Sequence, residues 1–144
     1  MNYNFEQSLG KLCRQISREI GNKLEERFLE NDIKFRSIDW MALSYIKHHN
    51  KLSQNELSVL CGFDKVTINR IIERLEEKEL IIKEICPEDK RIRYISLSKK
   101  GTTTFDELKT YAEEIIVNVT DDIPEKELKS CLSTLIKISQ NLEK

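Results

Sequence analysis

Between Leu52 and Leu97 the chain leaves little freedom of local structure. Ser53-Gln54-Asn55-Glu56 opens the stretch with a serine followed three residues later by a glutamate. Those two side chains can satisfy each other's free backbone N–H groups, the reciprocal cap that starts a helix. The helix is short and stops near Cys61-Gly62, where glycine tolerates a left-handed turn. Asp64 then caps a second helical run to Leu80, with Ile68, Ile71, Ile72 and Leu75 at i, i+3, i+4 and i+7 on one buried face. Two β-branched runs follow, Ile81–Ile85 and Ile92–Leu97, on either side of the six-residue turn Cys86-Pro87-Glu88-Asp89-Lys90-Arg91.

Helix, tight turn, second helix and β-hairpin in that order is the plan of a winged helix-turn-helix. That plan lays one helix in a DNA major groove and sets a basic hairpin tip beside it. Opposite the buried isoleucines, the second helix presents Val66, Arg70 and Glu73, with Asn69 on one flank and Thr67 and Arg74 on the other. Base edges and thymine methyls call for such a polar face with one apolar spot. An ordinary solvated face has the same composition, and the hairpin tips the balance. Asp89 can hold the backbone or the side chain of its neighbour, which leaves Arg91 at the tip for a narrow, electronegative minor groove. The net charge of -1 and a pI near 6.2 do not advertise a polyanion partner, and residues 51–97 hold nine Lys/Arg against nine Asp/Glu. Affinity for DNA must therefore come from where the cations stand. The expected contact set is Ser53, Lys65, Val66, Thr67, Asn69, Arg70 and Arg74 from the helices, with Asp89, Lys90, Arg91 and Arg93 from the wing.

The flanks are helical. Apolar residues at 5, 9, 12, 13, 16, 20, 24 and 28 trace one amphipathic helix from Phe5 to Leu29. A second runs from Ser37 to His49 with Ile38, Ala42, Leu43 and Ile46 on one face. Beyond the wing, Ser98 caps a helix with Gly101 in its first turn and a stripe through Phe105, Leu108, Ala112, Ile115, Ile116 and Val119. Pro124 fits the first position of a last helix bearing Leu128, Cys131, Leu132, Leu135, Ile138 and Leu142. The terminal stripes exceed what a small domain can cover by itself, and a second copy of the chain would bury them. A two-fold dimer also spaces two recognition helices about one DNA turn apart, roughly 34 Å. The expected fold is mainly α with a small β-hairpin wing (α+β). Its divisions are 1–34 for an N-terminal dimerisation helix, 35–98 for the winged helix-turn-helix and 99–144 for C-terminal dimerisation helices, one intertwined domain.

Other classes find little support. The cysteines at 13, 61, 86 and 131 show no Cys-x-x-Cys spacing, and His48-His49 point about 100° apart on a helix, so no metal site is expected. No residue set calls for a cofactor, and a thiol enzyme using Cys61 with either histidine lacks a readable oxyanion loop or orienting partner. No thiol sits in an activating setting, so cysteine oxidation is not the expected switch. No apolar run approaches the roughly 18 residues of a membrane helix. The N-terminus lacks a secretory pattern, so a cytoplasmic location is expected and Asn118-Val119-Thr120 is a chance glycosylation match. A winged helix turned to protein binding is the alternative that a neutral 51–97 segment permits. An effector site, if the chain has one, is expected where the first, second and fifth helices meet the winged motif. There Trp40, Tyr45 and Tyr111 offer flat apolar walls with polar edges for a small phenolic or other aromatic molecule.

The run Asp64-Lys65-Val66-Thr67-Ile68-Asn69-Arg70-Ile71-Ile72-Glu73-Arg74-Leu75, the wing Pro87-Glu88-Asp89-Lys90-Arg91 and Leu97-Ser98-Lys99-Lys100-Gly101 resemble the MarR family of bacterial transcriptional regulators across nearly the whole chain. The resemblance implies a homodimer on a pseudo-palindromic double-stranded operator, usually a repressor relieved by a small molecule or an oxidant. The chain departs from the family in three places. Glu79 stands where glycine is usual, at a cost of roughly 1 kcal/mol if the backbone there is left-handed. Arg36 replaces the usual threonine before the second helix, leaving that cap to Ser37 or the backbone. The position of the reactive cysteine of the family's hydroperoxide sensors falls near Gly10, one turn from Cys13.

Overall fold

The computed structural model describes residues 2–144. Its elements in chain order are α1 (Leu9–Glu30), α2 (Ser37–His49), β1 (Leu52–Ser53), α3 (Gln54–Cys61) and α4 (Lys65–Glu77). After them come β2 (Ile81–Ile85), β3 (Arg93–Leu97), α5 (Lys99–Val119) and α6 (Glu125–Leu142), which gives the mainly helical fold with a β wing that the sequence predicts.

The local signals set most boundaries. Ser53 and Glu56 form the reciprocal cap of α3, Asp64 accepts from the Thr67 N–H at 2.8 Å, and Ser98 accepts from Gly101 N–H at 2.9 Å. Gly62 ends α3 at φ 70°. The run expected to reach Leu80 stops at Glu77 instead. Glu79 adopts φ 60°, its N–H donates to Glu76 O, and the Leu80 N–H donates to Leu75 O, the pair of hydrogen bonds that closes a helix through a left-handed residue. The glutamate thus sits in the strained conformation at the glycine position.

Three further expectations change. The helix expected from Phe5 breaks at Ser8, which is extended (φ −73°, ψ 141°) and accepts from Lys11 N–H, so Phe5–Gln7 form a separate 3₁₀ turn. Pro124 stands just before α6 rather than inside it. Neither Ser37 nor Arg36 caps α2 with its side chain. Glu25 of α1 does so from outside, accepting from the Ser37 N–H at 2.7 Å. A two-residue strand also went unread: β1 pairs antiparallel with β3, Leu52 opposite Ile95 and Ser53 opposite Tyr94, in a sheet ordered β1-β3-β2.

The core lies between α2, α4, α5, the sheet and the second half of α1. Phe28, Leu43, Ile46, Leu57, Ile68, Ile71, Ile72, Leu75, Ile95 and Leu108 are all fully buried. Each is worth on the order of 2 kcal/mol by area removed from water. This burial clamps α4 by one face and leaves the other outside. The long stripe of α1 divides: Leu24 and Phe28 are buried, while Leu9, Leu12 and Ile16 are exposed. On α6 no residue is buried, and Leu132, Ile136 and Leu142 stand 51–82% exposed.

Candidate nucleic-acid interface

The start of α3, the first turns of α4 and the base of the wing enclose a groove of about 390 Å³. Into it the fold brings Ser53, Lys65, Asn69, Arg91 and Arg93, five of the residues singled out from sequence and drawn from three separate segments. Val66 and Arg70 stand exposed on the outer face of α4, with Thr67 half-buried beside them, and Lys90 is exposed at the wing tip. Val66 keeps 60% of its surface, the apolar spot on an otherwise polar face.

The wing tip is ordered from within. Asp89 accepts from the Arg91 backbone N–H at 3.0 Å, from Nε at 3.1 Å and from Nη2 at 3.1 Å. Those bonds to Arg91 hold the Asp89 carboxyl below the usual carboxylate range. The Ile92 N–H donates to Asp89 O and the Cys86 N–H to Ile92 O, closing the turn. An exposed ion pair of this kind adds little stability. It fixes direction instead, so that a guanidinium side chain 91% exposed projects from a stiff tip with Nη1 uncommitted. At the other edge Asp64 is held low by the Thr67 hydrogen bonds, which keeps the cap of α4 ionised.

Arg74 does not join this surface. Its Nε and Nη2 donate to both oxygens of Asp39 at 2.9 and 2.7 Å, and Asp39 on α2 is 1% exposed. The sequence placed Arg74 on a flank of the outward face, and its long side chain turns inward to the buried carboxylate. Asp39 was legible: it shares the face of Ala42, Leu43 and Ile46, and an acid among core positions demands a partner. Other groove residues were missed, among them two with specific contacts. Gln54, next to the cap serine, donates to Asn69 Oδ1, and Tyr94 lines the floor of the groove with the Lys51 ammonium 4.8 Å from its ring.

A second cleft, about 650 Å³, opens between α1, α2 and α5 and is lined by Trp40, Met41, Phe63, Ala112 and Arg18 among others. Only Trp40 of the three expected aromatics reaches it. Trp40 stacks on Phe105 at 5.1 Å. Tyr111 packs edge-on against Phe28 under Arg27, and Tyr45 lies near His49, so both belong to other contacts. Cys61 borders the cleft, and burial pushes its thiol up to about 11, away from the reactive thiolate. Among the described residues no cluster of His, Cys, Asp and Glu suits a metal ion, and no helix is long and apolar enough to cross a membrane.

Residues 32–92 match a family model described as MarR family. Among solved structures, a MarR variant from E. coli complexed with operator DNA is 19% identical with a TM-score of 0.77, over 90% of this chain and 92% of that one. MepR from S. aureus, solved with DNA, is 21% identical with a TM-score of 0.77, over 93% of this chain and 98% of its own. BpsR from Bordetella bronchiseptica, whose DNA binding is regulated by 6-hydroxynicotinic acid, is 21% identical at a TM-score of 0.79 over 96% and 98%. The matched segment runs from just before α2 to the turn of the wing, and over it the chain is similar to the MarR family, while its fold agrees with these structures almost end to end.

Proposed function

We propose that this chain is a dimeric, sequence-specific DNA-binding transcriptional regulator, acting in the cytoplasm as a repressor of a pseudo-palindromic operator. The observation that carries the reading is the convergence of Ser53, Lys65, Asn69, Arg91 and Arg93 on one groove, with Val66 and Arg70 exposed beside it. The first turns of α4 would read base edges in the major groove, and Arg91 would enter the flanking minor groove. In the neutral 51–97 segment, Lys65, Lys90, Arg91 and Arg93 stand at the groove and wing with Glu56, Glu88 and Asp89 among them, while Glu76 and Glu77 fall at the far end of α4.

Dimerisation supplies the partner for the uncovered apolar surface. Leu9, Leu12 and Ile16 of α1 and Leu132 and Ile136 of α6 would close against a second copy, making 1–34 and 99–144 the dimerisation segments around the 35–98 winged unit. The cleft of α1, α2 and α5 is the proposed effector site, with Trp40 as a flat wall and Arg18 as a cation for a small aromatic acid or phenol. A ligand there acts only if it prefers the dimer whose recognition helices are spread apart.

One operator titration tests both parts. Arg91→Ala is expected to weaken binding by roughly tenfold at moderate salt and to reduce the salt slope by about one, with the fold intact. Unchanged affinity would remove the wing from the interface. In the second arm, a phenolic compound that binds the protein should lower operator affinity; binding without that change would separate the cleft from regulation.

A further inference from the structure

Apart from the loop at its N-terminus, α4 is held to the body mainly by the apolar face of Ile68, Ile71, Ile72 and Leu75. The hydrophobic driving force is non-directional, and side-chain interdigitation sets rotation and tilt only to within roughly 15–20°. Directional side-chain contacts also hold α4: Asn69 accepts from Gln54 of α3 and Glu76 pairs with Lys83 of β2 at 2.8 Å, and the one that reaches α2 ends on a buried acid. The guanidinium of Arg74 grips both oxygens of Asp39 in a two-bond fork, and the planar geometry of such a pair tolerates little rotation of either element. Its acid is buried on α2, and the next residue, Trp40, lines the α1/α2/α5 cleft.

Stability is a poor reason for this pair. Removing two charges from water costs about what their attraction returns, and apolar residues of similar volume usually serve a core as well or better. We propose that Asp39 and Arg74 are positioning residues for DNA binding: a strut that fixes the orientation of the recognition helix relative to α2 without either residue touching DNA. This rests on the DNA-binding reading above. It also gives α2, and with it the Trp40 cleft, a directional link to α4 beside the apolar packing the two helices share.

The test compares the wild-type protein with Arg74→Lys and with the paired replacement Asp39→Leu and Arg74→Met, on the operator that the wild-type protein selects. Lysine keeps the charge but cannot make the fork. The apolar pair removes both charges and fills their volume, so its urea midpoint is expected at or above the wild-type value. Both variants should bind the operator roughly tenfold more weakly, with the slope of log affinity against log salt unchanged. Wild-type affinity in Arg74→Lys, with a slope lower by about one in the apolar pair, would make Arg74 a phosphate contact and overturn the proposal. Wild-type affinity in the apolar pair would reduce the strut to a filler of the core. A DNA-free measurement separates failure of the strut from failure of the DNA-binding reading. Amide exchange across Lys65–Glu77 should be faster in the apolar pair at undiminished global stability, and unchanged exchange there would overturn the strut whatever DNA the protein selects.

Discussion

Gly101→Ala is expected to destabilise the protein by about 3 kcal/mol or more, measured as a urea midpoint at fixed protein concentration. The reason is a backbone approach. A Cβ at Gly101 would lie 2.0 Å from the Leu80 carbonyl oxygen, far inside any real contact, and 3.0 Å from its carbon. That oxygen already accepts from the Ser98 N–H at 2.9 Å, and the Ser98 hydroxyl donates to Glu79 O at 2.7 Å. The end of α4, the root of the wing and the start of α5 are therefore joined at one crossing with no room for a methyl group. Relief would require moving the backbone on which both the recognition helix and the wing depend, so operator affinity should fall with stability. A loss under 1 kcal/mol would mean that the crossing is softer than its geometry.

The second large effect is expected on α6. Leu132→Asp together with Ile136→Asp leaves the protomer's own core untouched, because both side chains are more than half exposed in the single chain. If a second copy covers them, four buried carboxylates per dimer cannot be tolerated, and sedimentation should show the dimer lost at micromolar concentration. Operator affinity should drop on the order of 100-fold or more, because each half-site would then be held separately. A variant that remains dimeric would move the interface elsewhere.

What could be read from the sequence, and what could not, divides along range of interaction. Ser53 with Glu56, Asp64, Gly62 and Ser98 act on residues within four positions of themselves, and each does in the structure what the sequence predicts. The buried face of α4 follows from its period alone. Glu25 capping α2, Arg74 turning to Asp39 and Tyr111 packing on Phe28 depend on elements far apart in the chain, which no local pattern encodes. The strand β1 was too short to carry a period, and its pairing is fixed by β3 more than by Leu52-Ser53. In the groove the same rule holds. Residues on the exposed side of α4 and at the wing tip were legible as candidates, whereas Gln54 and Tyr94 became visible only when α3 and β3 were brought beside Asn69.

The groove and wing of a two-fold dimer are expected to read a DNA sequence. The most direct test is to select random duplex DNA with the purified protein at near-physiological salt and sequence what is retained. The expected result is enrichment of one inverted repeat with half-site centres about one helical turn apart, roughly 34 Å, bound by two protomers, with log affinity falling steeply against log salt. Retained DNA with no enriched sequence, or none retained, would contradict it.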